Sequence, residues 1–162
     1  MIRQDDTLLN AMSDLPFKEY GCALMCEIYL GVMWASEREM SQGKGYDFQR
    51  ETFIADCDNW RSSGALSKEL DVNWNKVARD IGLPYRIVIE KGTHRLPPER
   101  HLKDKEFQVV LLRNPATGLG HFVVMNKYDQ VVYDPLGKSV TVLSYEYDMA
   151  FIESRRIFRR IK

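Results

Sequence analysis

The chain has 162 residues, and its 23 basic residues balance 23 acidic ones, so the formal net charge is zero. A chain without net charge exerts no overall attraction on nucleic acid or on an anionic membrane, and neither is expected as a partner. This length is typical of one domain that builds its core without disulfides or metal. We therefore expect a single domain over residues 1–162.

The cysteine content and the first residues favour a cytoplasmic protein. Three cysteines are too few for a disulfide framework, and an odd number leaves at least one thiol free. Residues 1–6 include two aspartates, whereas a secretory signal begins with basic residues and continues with an apolar stretch. The apolar run from Cys22 to Trp34 contains Glu27 and is shorter than the roughly 20 residues that cross a bilayer. Neither a signal peptide nor a transmembrane segment is expected.

Three helices are predicted in the first half of the chain. Residues 21–34 are apolar on every face, which is typical of a helix buried in the middle of a fold. A second helix, with an aspartate as its N-cap, is expected over residues 47–60. The third begins at Asp71 or Asn73 and stops at Gly82. Its apolar stripe consists of Trp74, Val77, Ala78 and Ile81.

After residue 84 the hydrophobic period changes to that of strands. Five short β-rich runs are predicted, at residues 85–89, 107–112, 121–126, 131–133 and 139–143. Residues 153–162 carry five bases and one acid and alternate with apolar positions, which predicts a final edge strand whose charges discourage further pairing. Helices followed by strands predict an α+β fold with an antiparallel sheet.

Cys22, His121 and Asp134 are the candidate catalytic residues. Cys22 opens the buried helix, where the positive end of the helix dipole favours a thiolate nucleophile. His121 begins a predicted strand and can take the thiol proton and later return it to a leaving group. Asp134 can hold the imidazole in the productive tautomer. These residue types in this order predict a cysteine hydrolase.

Strand parity selects Asp134 over Asn126 as the partner of His121. If residues 127–130 form a tight turn, Val123 opposes Asp134, and His121 lies on the same face as both. The acid is then the diagonal neighbour of the histidine, at a Cα separation of roughly 7–8 Å that side chains can bridge. Asn126 points to the opposite face in this register.

Three motifs carry a family resemblance. They are Gly21-Cys22, Gly120-His121-Phe122-Val123-Val124 and Tyr133-Asp134-Pro135. In this order they resemble the papain-like cysteine peptidase fold, in particular the bacteriocin-processing peptidases that cut after a double glycine. The chain also resembles small papain-like domains of unknown function encoded by phages and plasmids. The resemblance spans Tyr20 to Leu143 and implies a papain-like fold with a Cys-His-Asp triad that needs no metal or cofactor.

One position departs from the family pattern. These peptidases place a glutamine a few residues before the cysteine, where its amide supplies half of the oxyanion hole, but residues 14–21 contain none. The backbone N–H of Cys22 supplies the other half. Either Gln4, Lys18 or a backbone amide replaces the missing donor, or the domain has lost activity.

The remaining candidate residues are expected to be structural. Cys26 and Cys57 are predicted to pack in the core, and the sequence offers no second ligand pair for a zinc site with Cys22. His94 and His101 lie in a polar loop and are expected at the surface. Trp60 and Trp74 are predicted core residues. A patch that binds nucleic acid or another anionic partner at the basic C-terminus is the minority alternative to the edge strand.

Three functions remain open at this level. The first is a cysteine peptidase or amide hydrolase that acts on a protein or on a peptidoglycan stem peptide, with a phage-encoded, lysin-like enzyme as one version. The second is a papain-like scaffold without activity that binds a peptide or a host-defence partner. The third is an acyltransferase that uses the same triad and an amine acceptor. The sequence does not decide the oligomeric state.

Overall fold

The computed structural model describes residues 3–38, 46–91, 101–113, 118, 120–136 and 152–161. The chain divides into two compact units, a helical unit of residues 1–84 and a sheet unit of residues 85–162. Helices and an antiparallel sheet together confirm the predicted α+β class. The expectation of a single domain stays a prediction.

Five helices lie in the described part of the helical unit. They are α1 (Thr7–Met12), α2 (Phe17–Tyr20), α3 (Cys22–Arg38), α4 (Arg50–Ser63) and α5 (Trp74–Asp80). The N-cap of α5 is Asn73, one of the two starts that the sequence predicts, and its side chain accepts from the backbone N–H of Lys76. The predicted start of α4 is wrong: its N-cap is Gln49, and the helix ends at Gly64, whose φ of 74° suits glycine.

The core of the helical unit is built around α3. Leu24, Met25 and Ile28 are completely buried, which confirms the prediction of a central buried helix. The predicted stripe of α5 is buried as well. A Cβ at Gly31 would lie 3.0 Å from Cδ1 of Ile81, so the glycine permits a close approach of α3 to this region. No helix in the described residues is both long and apolar enough to cross a membrane.

The sheet unit contains a five-stranded antiparallel sheet. Its strands are β1 (Tyr85–Lys91), β2 (Phe107–Arg113), β3 (Gly120–Met125), β4 (Val131–Tyr133) and β5 (Ile152–Arg160), in the spatial order β1-β5-β2-β3-β4. Four of the five predicted strand runs coincide with β1 to β4. The fifth, residues 139–143, lies outside the described residues.

The prediction that the C-terminal segment forms an edge strand is wrong. β5 lies between β1 and β2 and pairs with both. Two of its arginines are matched by acids: Arg159 donates to Glu106 at 2.8 Å, and Arg155, only 2% exposed, donates to Asp129 at 2.9 Å. Ile157 and Phe158 are completely buried, one on each face of the sheet. Local alternation cannot distinguish a matched central strand from a protected edge.

Glu27 is a carboxyl group buried in α3. It is 0% exposed, and among the described residues neither of its oxygens has a hydrogen-bond partner. Burial raises its pKa well above the ordinary value of 4.5, and the nearby backbone amide of Ala78 offsets this only in part. In the folded helical unit, burial therefore favours the protonated form of Glu27.

Replacing Glu27 should change how stability depends on pH. The unfolded chain ionises above the ordinary pKa of 4.5, so the wild type loses stability as the pH rises from there toward the raised pKa. Glu27→Gln removes this titration. Its free energy of unfolding should therefore rise relative to that of the wild type by up to about 1.4 kcal/mol per pH unit in that window. Urea denaturation near pH 5 and pH 8, followed by tryptophan fluorescence, measures the difference, because all three tryptophans lie in the helical unit.

The matched control is Glu51→Gln, an exposed position in the first turn of α4. Its stability should follow the wild type at both pH values. If Glu27→Gln and wild type keep a constant difference from pH 5 to pH 8, Glu27 is not held protonated.

Candidate functional site

His121 and Asp134 form the centre of the candidate site in the sheet unit. Nε2 of His121 lies 2.8 Å from Oδ1 of Asp134. The carboxylate side chain is completely buried, whereas the imidazole keeps 17% of its surface exposed. Oδ1 also accepts the backbone N–H of Leu136 at 2.8 Å. The acid is thus fixed by its own turn and presents its oxygen to the ring.

The predicted register of β3 against β4 is correct at Val124 and Tyr133 and wrong nearer the turn. Val124 pairs with Tyr133, which is the predicted register, but Met125 pairs with Val131 because the ladder shifts between Val124 and Met125. The irregularity lengthens the turn without moving His121 to the other face. Strand parity therefore predicted the contact with Asp134 even though it did not predict the bulge.

Asn126, the alternative partner, is engaged elsewhere. Its Oδ1 accepts the backbone N–H groups of Tyr128 and Gln130, at 2.9 and 3.1 Å. Its Nδ2 donates to the side chain of Gln130. These contacts make Asn126 the residue that closes the β3–β4 turn, a common role for asparagine.

The pairing with Asp134 determines what the imidazole can do. An ionised carboxylate only accepts hydrogen bonds, so the proton of the neutral ring belongs on Nε2. Nδ1 then carries the lone pair and is the basic nitrogen. After Nδ1 takes a proton, the buried carboxylate stabilises the imidazolium.

Cys22 occupies the start of α3 in the helical unit. It is 8% exposed, while Cys26 and Cys57 are completely buried, as predicted for packing residues. The Gly21 carbonyl accepts the N–H of Met25, so α3 begins at the cysteine. A Cβ at Gly21 would lie 2.5 Å from the carbonyl oxygen of Phe17, so a glycine is required directly before Cys22.

Gln4 and Lys18, the two side chains predicted as oxyanion donors, lie next to each other because the Gln4 amide contacts the Lys18 backbone. Gln4 is 4% exposed, and its Nε2 donates to the backbone carbonyl of Lys18 at 2.8 Å. Lys18 lies on α2, and in an uninterrupted helix this carbonyl would accept the N–H of Cys22. The Lys18 side chain is exposed. Gln4 is thus attached to the segment that precedes the cysteine, although it is distant from it in sequence.

Two contacts of the site were not predicted from the sequence. The backbone amide of Leu136 anchors Asp134, and the Asp-Pro-Leu order is the signal that indicates such a turn. The second is the contact between Gln4 and the Lys18 carbonyl. Asn10 holds both of these residues, because its Nδ2 donates to the Gln4 carbonyl and its Oδ1 accepts the N–H of Lys18. No sequence pattern indicates that second network.

The other predicted residues are placed as follows. Trp60 and Trp74 are 4% and 8% exposed, which confirms them as core residues, and His101 is exposed. His94 lies outside the described residues. Two surface cavities of about 290 and 460 Å³ border α4, and neither is lined by Cys22, His121 or Asp134.

A double-mutant cycle should detect the His121–Asp134 contact. Asp134→Asn keeps an acceptor for Leu136 but removes the charge, and His121→Ala removes the ring. Because hydrogen bonds to charged groups contribute about 1.5–3 kcal/mol, the two substitutions should couple by at least about 1 kcal/mol in urea denaturation followed by circular dichroism.

The control cycle pairs His121→Ala with Asn126→Ala. Since the side chain of Asn126 bonds only to residues of its own turn among the described residues, this coupling should stay below about 0.5 kcal/mol. Stronger coupling to Asn126 than to Asp134 would show that the strand register is off by one.

Comparison with known proteins does not identify a family for this chain. Neither the protein-family models, nor the curated proteins, nor the solved structures contain a match to the chain. The arrangement of the candidate residues is therefore the basis on which a function can be argued.

Proposed function

We propose that the protein is a cysteine hydrolase of the papain-like kind, with Cys22 as nucleophile, His121 as general base and acid, and Asp134 as the residue that orients His121. The observation that carries the proposal is the 2.8 Å contact between Nε2 of His121 and the fully buried Asp134 carboxylate. A buried acid that fixes the tautomer of a partly exposed histidine suits proton transfer in acyl chemistry.

The reaction begins with attack of the Cys22 sulfur on a carbonyl carbon. A C–S bond forms, and the thiol proton passes to Nδ1 of His121. As the tetrahedral intermediate collapses, the C–N bond breaks and the imidazolium gives its proton to the leaving amine. Water then attacks the thioester with His121 as base, the C–S bond breaks, and a carboxylic acid is released. Positioned proton transfer of this type contributes roughly 10²–10⁴ in rate.

The start of α3 supports the role of Cys22. The first N–H groups of a helix have no partner in the helix itself, so the N–H of Cys22 can donate to the oxyanion that forms at the attacked carbonyl. The Gln4 amide donates to the Lys18 carbonyl, which is the acceptor that the Cys22 N–H would use in an uninterrupted helix. Gln4 thus competes with the Cys22 N–H for this carbonyl. In this proposal Gln4 positions the segment, and the second oxyanion donor comes from a backbone amide or from Lys18.

The substrate class is an amide bond in a protein or in a peptidoglycan stem peptide. The same acyl-enzyme reacts with an amine instead of water in an acyltransferase, so the acceptor distinguishes the two reactions. A scaffold that binds a peptide without cleaving it is the outcome that remains if Cys22 reacts with electrophiles but turns over no substrate.

Thiol alkylation tests the nucleophile. Near pH 6, limiting iodoacetamide should label Cys22 before Cys26 and Cys57, because the other two are completely buried and burial beside Asp56 raises the pKa of Cys57. His121→Ala should slow labelling of Cys22 at least roughly tenfold, because the thiolate loses its base and counterion. Peptide mapping by mass spectrometry gives the order and the rates.

His101→Ala is the matched control, since it removes an exposed imidazole from the same unit. Its labelling rate should equal that of the wild type. Preferential labelling of Cys57, or equal rates for the two histidine variants, contradicts the assignment.

Substrate cleavage tests the activity itself. Wild type should produce new termini in a peptide library or in purified cell-wall sacculi, and Cys22→Ala should reduce them to background. Cys57→Ala removes a core thiol and should retain cleavage as long as it folds. Product masses in the presence of an added amine separate hydrolysis from acyl transfer. If neither substrate pool is cleaved by a protein whose Cys22 labels selectively, the proposal fails and the binding scaffold takes its place.

A further inference from the structure

The helical ladder of hydrogen bonds is interrupted immediately before Cys22. The N–H of Gly21 donates to the Phe17 carbonyl, and the N–H of Met25 donates to the Gly21 carbonyl. A bond from the Cys22 N–H to the Lys18 carbonyl would carry the ladder through Gly21 and join α2 and α3 into one helix. The structure instead has two helices, with Gly21 outside both.

The interruption between the helices is small in conformational terms. Gly21, the one residue between them, has a φ of −75° and a ψ of −7°, in the right-handed helical region. Continuing the helix would add one hydrogen bond, from Cys22 to Lys18, with little rearrangement of the backbone. Contacts from elsewhere in the helical unit are therefore needed to favour the interrupted form.

The backbone of Lys18 is held by two side chains of the N-terminal segment. Its carbonyl accepts Nε2 of Gln4 at 2.8 Å, and its N–H donates to Oδ1 of Asn10 at 3.2 Å. Nδ2 of Asn10 also donates to the Gln4 carbonyl at 2.9 Å, which fixes these two residues relative to each other. Both backbone groups of Lys18 therefore have partners without the Cys22 N–H.

The burial of Gln4 shows how much depends on its bond to Lys18. Gln4 is 4% exposed, and its Oε1 has no hydrogen-bond partner in the described part of the chain. Burying an amide with one atom unpaired is unfavourable, and an apolar side chain of similar length would avoid that penalty. The bond from Nε2 offsets it, and it supplies a donor to a carbonyl that the interrupted helix leaves without one.

We propose that Gln4 and Asn10 are positioning residues that keep α2 and α3 apart, so that the Cys22 N–H stays available to the oxyanion of the substrate. This inference rests on the proposed function, because an oxyanion forms only if Cys22 attacks a carbonyl. In a continuous helix the Cys22 N–H is bonded to Lys18 and is lost to the reaction. Gln4 acts through the backbone and needs no contact with the substrate.

Hydrogen exchange of the Cys22 amide, followed by heteronuclear NMR on the full chain, tests this role. Gln4→Met removes the donor and keeps a buried side chain of similar length, so the Lys18 carbonyl should accept the Cys22 N–H. Exchange of this amide should then slow at least roughly tenfold, and Asn10→Leu should change it in the same direction. A role limited to stability predicts the opposite sign, because a destabilised segment exchanges faster.

Gln49→Met is the matched control for Gln4→Met. Gln49 is an exposed glutamine beside the start of α4, and its side chain makes no capping hydrogen bond. This variant should leave the exchange rate of the Cys22 amide at the wild-type value.

Two reagents separate the oxyanion from the thiol. Acetylation by p-nitrophenyl acetate joins the Cys22 sulfur to the acetyl carbon and expels p-nitrophenolate by way of an oxyanion. Alkylation by iodoacetamide displaces iodide from a saturated carbon and forms no oxyanion. Gln4→Met should slow acetylation roughly 10²–10³-fold, as expected for one lost oxyanion donor. It should slow alkylation no more than about fivefold, the size of a lost helix-dipole effect on the thiolate. Mass spectrometry of the Cys22 peptide gives both rates.

Slower exchange together with slower acetylation supports the proposal. Unchanged or faster exchange of the Cys22 amide in a Gln4→Met protein that circular dichroism shows to be folded overturns it. Slower exchange with unchanged acetylation overturns the role of Gln4 in the reaction. The proposed function is tested separately by the dependence of Cys22 labelling on His121, so a failure of this inference is distinguishable from a failure of that function.

Discussion

The side chain of Arg155 connects the central strand of the sheet to the turn that precedes the candidate acid. It is 2% exposed, and its Nη1 donates to Gln108 on β2 at 2.6 Å and to Asp129 in the β3–β4 turn at 2.9 Å. Gln108 also donates to Asp129, at 2.7 Å. Removing Asp129, which is 28% exposed, leaves the nearly buried guanidinium of Arg155 without its charged partner, which is destabilising. The geometry around Asp134 therefore depends on a residue near the end of the chain.

This dependence explains which parts of the structure the sequence could predict. The β3–β4 hairpin is local, and counting from its turn brings His121 and Asp134 to one face because the irregularity between Val124 and Met125 offsets the longer turn. The place of β5 is set by pairing with β1, more than sixty residues earlier, and by acids such as Glu106 that neutralise its arginines. A strand with matched charges and a strand with protective charges have the same local pattern. Only the long-range partners distinguish them.

The helical unit shows the same division between local and distant information. The sequence predicts the buried stripe of α5 and the burial of α3 correctly, because hydrophobic periodicity and helix caps are local signals. The start of α4 was misplaced because Asp47 resembles an N-cap, whereas the structure places the cap at Gln49. The contact of Gln4 with the Lys18 carbonyl joins residues that no periodic pattern relates. The sequence near Cys22 therefore gives no information on what the side-chain amide of Gln4 binds.

Glu27 and Asp134 show why burial by itself does not identify a functional carboxylate. Both side chains are completely buried. Asp134 receives the backbone N–H of Leu136 and faces the imidazole of His121, and donors of this kind favour the charged form of an acid. Neither carboxyl oxygen of Glu27 has a hydrogen-bond partner among the described residues, and the nearby amide of Ala78 offsets desolvation only in part, so burial favours the neutral form. A neutral acid cannot stabilise an imidazolium, whereas a charged one can. The donors around a buried carboxyl, which depend on the fold, determine whether it can serve the chemistry proposed for this chain.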